Sequence, residues 1–350
     1  ADSVTIDAIA VRLNDYDAIA VTSSTGVRVT SSRSTANGLY GVHAVDAPGI
    51  NLTGNSIGGN GYQSATPADV LLEAAPGSLI AENALLSPGS SGLYLTASPS
   101  SILRGNVVAN HSFAMFLNGA DSSLVLGNNL TSNDYGVYVN SEAVTISGNT
   151  FLDDGYGLYL FERGNATIVG NAFRGLGRIG VALESTWGNR VQTNTFTDTG
   201  LLLEGTQVGH FDSQDVAVDN AVNGAPLRYY RDCSGVALDG QPTGQLIVAN
   251  CAGIRATNLT IGQTAVAVEL AFVRSAVLED NLFWASLSGL RLIESTGLVA
   301  IHNAFVLNAL PVIGTLAETW DGGYPVGGNY WSDYGGADSC SGPAQNVCPD

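Results

Sequence analysis

The sequence predicts an all-β chain: a single-stranded right-handed parallel β-helix, a solenoid of about a dozen coils of ~22 residues. Three observations carry this expectation. An asparagine returns at a nearly constant interval, apolar residues keep fixed offsets from it, and short alternating strands fill the space between.

The asparagines are Asn55, Asn83, Asn106, Asn128, Asn149, Asn171 and Asn194, then, after a gap, Asn281 and Asn303. Three positions before each sits an apolar residue, such as Leu103, Val125 or Ile146. Two positions after sits another, such as Phe151, Phe173 or Phe196. Between successive asparagines runs a short alternating segment, as in Gly136-Val137-Tyr138-Val139 and Gly157-Leu158-Tyr159-Leu160. Strands this short, in such uniform phase, are satisfied by pairing in parallel with their copies one coil along, at about 4.8 Å. A stack of that many coils extends on the order of 60 Å. The asparagine then reads as an inward ladder that bonds its copies above and below where the chain turns.

The coils occupy 1–309, with an irregular stretch and a projecting loop at about 197–257. Residues 310–350, rich in Gly and aromatics, read as a C-terminal cap over the open end of the solenoid. Composition agrees, with 43 glycines and 13% charged residues in 350. No apolar run is long enough to span a bilayer. All 13 basic residues are arginine, and 31 acidic residues leave a net charge of −18, which argues against nucleic acid and anionic membranes as partners. A lysine-free acidic surface fits both a high-salt habitat and a GC-rich genome. The N-terminal Ala1-Asp2-Ser3 reads as a mature or trimmed start.

Four cysteines form two local pairs, Cys233 with Cys251 and Cys340 with Cys348, read as disulfides of an oxidising compartment rather than as metal ligands. Sequons at Asn51, Asn110, Asn129, Asn165 and Asn258 point the same way. None of them is a ladder asparagine, and the flanks of Asn258 place it one residue out of register with Asn281.

The outward positions carry the functional question. Tyr94, Phe116, Tyr138 and Tyr159 recur one coil apart and predict an aromatic ladder on one face. It reads as a simple brace for parallel strands, as a surface for lateral packing against a partner, or as a platform for sugar rings. Glu269 and Arg291 occupy equivalent outward positions and are expected to pair at the surface. For catalysis the best candidates are His210, Asp212 and Asp215, with Asp219 close by; Asp153 and Asp154, near Glu162, fit a plain turn. Neither group forms a recognisable motif. No cofactor and no metal site are expected: Met115 is the lone methionine, and His43, His111, His210 and His302 are scattered.

The Gly-Asn coils resemble the parallel β-helix repeats of the NosD-like family, which includes periplasmic copper-enzyme maturation proteins and many archaeal surface proteins. The stretch from Val222 to Cys251 resembles the "VNGxPxxYY…GQxIxVNC" unit of archaeal members, and Asn329 to Tyr334 resembles their "NYWSDY" signature. In relatives that signature leads into a "DGIGDTPY" run; here the chain ends at Pro349-Asp350, which reads as a truncated tail. The resemblance implies a secreted, cell-surface β-helix. The expected role is non-catalytic and structural or adhesive, as a subunit of a surface layer, sheath or filament. Its partners would be copies of itself, other surface proteins or glycans. The alternative is a polysaccharide lyase, epimerase or hydrolase on the same scaffold, and a weaker one is a copper-cofactor maturation protein.

Overall fold

The computed structural model describes residues 3–175, 179–314, 318–323 and 325–335. The chain is an all-β right-handed parallel solenoid of about 15 turns, a few more than expected. Two compact units divide it, residues 1–220 and 221–350.

In the first unit each coil supplies a strand to each of three parallel sheets. The first sheet has short strands such as Ile102–Arg104, Leu124–Leu126 and Thr145–Ser147; the second has Val107–Ala109, Asn129–Thr131 and Thr150–Leu152. The third, broad sheet has longer strands, including Gly89–Thr96, His111–Asn118, Tyr135–Asn140, Tyr156–Phe161, Ile179–Glu184 and Leu201–Glu204. Inward columns such as Leu103, Val125, Ile146 and Ile168 are fully buried, and Phe151, Phe173 and Phe196 stack with centroids 4.6 and 5.0 Å apart. Burial of these like residues in register is what makes each coil a template for the next. Glycine opens the broad strands because the interior leaves no room there: a Cβ on Gly157 would sit 2.7 Å from both the Phe173 ring and the Gly180 carbonyl.

The asparagine ladder closes the turn between the first and second sheets. Asn128 donates through Nδ2 to the Leu103 carbonyl at 2.9 Å and to Asn149 Oδ1 at 2.9 Å, while its backbone N donates to the same Oδ1 at 2.8 Å. The pattern runs from Asn55 to Asn194 and ends on Asn220 in this unit. The residue before each rung has a left-handed backbone, φ 59 to 68° at Gly54, Gly105, Gly127, Gly148 and Gly170, which is why glycine precedes the asparagine so often. Two further ladders brace the other turns. One includes Asn37 to Asn60 and Asn133 to Asp154, both 2.8 Å; the other is built on Ser98, Ser101 and Ser123. At the amino-terminal end Ser32 replaces asparagine and accepts from Ile9 N, so the earliest coils carry no Gly-Asn signal.

The second unit opens with an antiparallel hairpin, Ala221–Val222 against Ala225–Arg231, turning at Asn223 and Gly224 with φ 51 and 80°. Asn-Gly is the preferred pair for such a turn. From Ala225–Arg231 onward the coils resume, with parallel strands Gln245–Ala249, Val266–Ala271, Ser288–Ile293 and Leu310–Ile313. Part of the expected irregular stretch is therefore coiled. Asn281 and Asn303 form rungs, and Leu259, not Asn258, holds the position below them, its N donating to Asn281 Oδ1 at 2.9 Å. Cys233 and Cys251 form a disulfide with Cα atoms 4.5 Å apart. The expected Cys340–Cys348 pair lies outside the described residues. The segment expected as a cap still carries coil strands: Tyr330–Trp331 pairs in parallel with Ala304–Val306, and Asn303 donates to Asn329 Oδ1 at 3.0 Å.

One expectation is corrected. Glu269 has the outward phase but is fully buried, with its carboxylate 3.7 Å from an Arg291 guanidinium that is 17% exposed. Ile247, its register neighbour, is also fully buried, so this face is enclosed and the pair is not a surface one. Among the described residues no helix is long and apolar enough to cross a membrane.

Candidate functional site

The broad sheet of the first unit presents the one extended aromatic surface that the sequence singled out. Register pairs Tyr94 with Phe116, Phe116 with Tyr138 and Tyr138 with Tyr159, as the coil spacing requires. Centroids step by 4.7, 4.8 and 5.3 Å, close to the strand spacing. A second column stands beside it: Phe113, Tyr135 and Tyr156, at 5.0 and 5.1 Å with planes within 12 and 7°. Near-parallel rings at these separations are offset like shingles. Rings of different columns meet edge to face, Tyr135 to Tyr138 at 81° and Tyr156 to Tyr159 at 87°. All seven side chains are half-buried. The result is a two-column terrace of half-buried rings that pack on one another along and across the columns.

The sequence reading missed the second column because it followed strict alternation. Gly136 and Val137 are both buried, so alternation breaks and Tyr135 and Tyr138, three apart, emerge on the same side. The signal was present as the repeated Tyr-Gly-Val-Tyr and Tyr-Gly-Leu-Tyr at 135–138 and 156–159.

One margin of the terrace is acidic. Glu184 and Glu204 are cross-strand neighbours, Glu162 follows Phe161, and the Tyr159 hydroxyl donates to Glu184. Burial, and then Tyr135 and the glutamates, push the Tyr138 and Tyr156 phenols up; burial and the Glu184 hydrogen bond push Tyr159 up well beyond the ordinary range. These phenols stay protonated donors at physiological pH. The nearby Arg163 is engaged with Asn140 Oδ1 at 3.2 Å and lies 3.9 Å from Glu142. At the far end, His43 shares the Tyr94 column and bridges Asp17 at 3.2 Å and Glu73 at 2.8 Å, while buried His111 meets Asp69 at 3.0 Å.

The candidate acid–base residues lead elsewhere. His210 and Asp212 lie on a short helix, Gly209–Asp212, anchored by buried Phe211. His210 Nδ1 accepts from Thr206 N, Asp215 faces Arg190 at 3.8 Å, and Asp219 accepts from Thr193 N at 2.9 Å. Asp153 is exposed in a left-handed turn, and buried Asp154 accepts from Asn133. Of the sequons, Asn110, Asn129, Asn165 and Asn258 are exposed and Asn51 is half-buried. Among the described residues Glu279, Asp280 and His302 bring possible ligand atoms within 4.8 Å of one another, but Glu279 is held by Arg255 at 2.6 Å.

Two family models match the chain. One, described as periplasmic copper-binding protein (NosD), covers residues 4–151; the other, described as right handed beta helix region, covers 135–305. No curated protein matches it. Among solved structures the chain is similar to a complex of alginate lyase AlyF-OU02 with G6, at 9% identity and TM-score 0.49 over 91% of this chain and 82% of that one. It is also similar to the catalytic unit of a thermostable GH87 alpha-1,3-glucanase from Streptomyces thermodiastaticus strain HF3-3, at 11% identity and TM-score 0.38 over 94% and 62%. At such identities and scores nothing about this chain's chemistry follows from them. The soft and imidazole donors that copper favours are mostly committed elsewhere among the described residues, His302 beside Glu279 and Asp280 being the exception. Met115 is fully buried in the core, His43 and His111 are engaged by carboxylates, and Cys233 and Cys251 are oxidised. The two matches together span residues 4–305, and the chain belongs to the NosD-like right-handed β-helix family.

Proposed function

We propose that the chain is a non-catalytic surface protein of the extracytoplasmic space, a structural or adhesive β-helix that makes its contact through the aromatic terrace. The observation that carries this reading is the terrace itself: seven half-buried aromatic side chains in two registered columns on one open sheet face. A brace for parallel strands needs one column; a second column adds a broad amphipathic surface of the kind that meets a partner. The disulfide and the exposed sequons support a site outside the cytoplasm. Against catalysis stand the separate structural tasks of His210, Asp215 and Asp219. Cell-surface location, assembly into a layer or filament, and an archaeal source belong to this proposal.

The test replaces Tyr138 and Tyr159 together by serine and follows assembly by light scattering and retention on immobilised glycans, with circular dichroism to verify the fold. Loss of either activity with the fold intact is expected. Unchanged assembly and retention, or new reducing ends released from a polysaccharide by the parent protein, would overturn the reading.

A further inference from the structure

We infer that Glu279, Asp280 and His302 form a site for a borderline divalent metal ion of the zinc class, a staple between two successive coils of the second unit. Possible ligand atoms of the three side chains lie within 4.8 Å of one another. The coil grammar brings them together. Glu279 ends the strand Arg274–Glu279 and pairs in register with Ile301, the last residue of Thr296–Ile301. Asp280 and His302 therefore hold the same turn position one coil apart. The residues that follow them, Asn281 and Asn303, are rungs bonded at 2.8 Å, so the backbone that carries the site is held in place without an ion.

His302 separates this group from an ordinary acidic patch. Its Nε2 meets the Val326 carbonyl. A carbonyl only accepts, so Nε2 carries the hydrogen and the neutral ring presents its Nδ1 lone pair on the side of Asp280. Nδ1 stands 3.6 Å from Asp280 Oδ1, two acceptors across a gap too wide for a hydrogen bond. That spacing is close to the edge of a tetrahedron of ligands about 2.0–2.1 Å from zinc. A ring hydrogen held by a backbone carbonyl is also the usual outer support of a metal-bound imidazole. Arg255 takes Glu279 Oε2 at 2.6 Å and so orients the carboxylate, whose second oxygen is not part of that pair.

The donor set decides the class of ion. One imidazole and two carboxylates suit zinc and its neighbours, whereas calcium and magnesium call for oxygen ligands throughout. The His302 and Asp280 side chains are 39 and 53% exposed, so an ion can enter and water can complete its coordination. A proton is the rival occupant, since an imidazolium would pair with Asp280 in the same geometry.

The intact protein, stripped of metal by chelation, is titrated calorimetrically with zinc and with calcium at about pH 7.5. Zinc should bind, and its affinity should fall roughly tenfold or more in His302→Gln and in Asp280→Asn. Zinc should also raise the thermal midpoint of the parent and leave that of either variant in place. Both variants alter exposed positions, and circular dichroism verifies that they keep the fold. Zinc binding that neither variant weakens puts the ion elsewhere and overturns the inference. Calcium binding as tight as zinc does the same, because it marks an all-oxygen site. A parent that takes up no zinc at millimolar concentration also overturns it, and leaves a proton to hold His302 to Asp280.

Discussion

Trp331 lies flat on Phe305, their ring centroids 4.4 Å apart and their planes within 7°. It stands where a coil phenylalanine would stand, two residues after Asn329, which accepts from Asn303 as the next rung. The aromatic tail thus obeys the coil grammar while it covers the end of the second unit's core, with Trp320 leaning on Trp331 at 5.9 Å. Trp331→Ala should cost about 2 kcal/mol in urea unfolding, less than a fully buried tryptophan because the ring is half-exposed. Tyr330→Ala, 61% exposed on the other side of the same strand, should fall within about 0.5 kcal/mol of the parent. Equal costs for the two would show that the tail does not dock as a rung.

Asn128 and Asn129 are adjacent in sequence and opposite in role. Asn128 is 1% exposed and takes part in bonds to Asn106, Asn149 and the Leu103 carbonyl; Asn129 is an exposed sequon residue. Asn128→Ala leaves several buried donors and acceptors unpaired at once, at about 1–3 kcal/mol each, so a loss of at least ~3 kcal/mol is expected. Asn129→Ala should shift stability by less than ~0.5 kcal/mol. Denaturant midpoints of the two unglycosylated variants decide the matter.

This contrast shows what the sequence could and could not reveal. The ladder and the inward columns were legible because each coil repeats the same demand, so a weak local preference sums into a strong period. Ser32 escaped notice because a hydroxyl meets the same backbone N without the Gly-Asn spelling. Asn37 and Asn60 escaped because their ladder is short and its partner is Asp69, from another part of the coil. The second aromatic column was hidden by the break in alternation at Gly136, which follows from the Phe151 ring filling the space beneath it. Glu269 was misplaced for a different reason: the period gives the direction of a side chain, and nothing in it says what lies over that face.

The enclosed Glu269 makes its pairing with Arg291 sensitive to deletion of one partner. Arg291→Met leaves a fully buried carboxylate without its guanidinium, and breaking such a pair typically costs about 3–5 kcal/mol. Replacing both, as Glu269→Leu/Arg291→Met, should recover much of that loss, since a packed apolar pair avoids the desolvation penalty. Thermal unfolding of the single and double variants tests this. A single variant within ~1 kcal/mol of the parent would place the residues at an open surface.

Cys233 and Cys251, 18 residues apart, tie one coil of the second unit to the next. Closing a loop of that length in the unfolded chain is worth about 3 kcal/mol. Cys233→Ala/Cys251→Ala should therefore lower stability by roughly that amount, and a reducing agent should destabilise the parent by more than it does the double variant. Sensitivity of the double variant to reductant would point to a further disulfide.

The terrace predicts an alkaline limit. Tyr138, Tyr156 and Tyr159 all titrate above the ordinary value of 10.0, in each case first through burial and then through neighbouring phenol or carboxylate groups. Once the chain unfolds, these phenols return to ordinary values and lose their protons first. Above pH 10 the unfolded state therefore binds fewer protons than the folded one, and unfolding becomes easier as pH rises. The stability they contribute is fully present below pH 10 and is lost progressively above it. Denaturant midpoints measured from pH 8 to 12 should be flat at first and then fall. Tyr138→Phe/Tyr156→Phe/Tyr159→Phe, which keeps the rings and removes the hydroxyls, should shrink that fall. The phenolate absorbance of the parent should also develop late, in step with unfolding. A parent whose terrace tyrosines ionise near pH 10 while the fold persists would show them freely solvated, with no shared packing between the two columns.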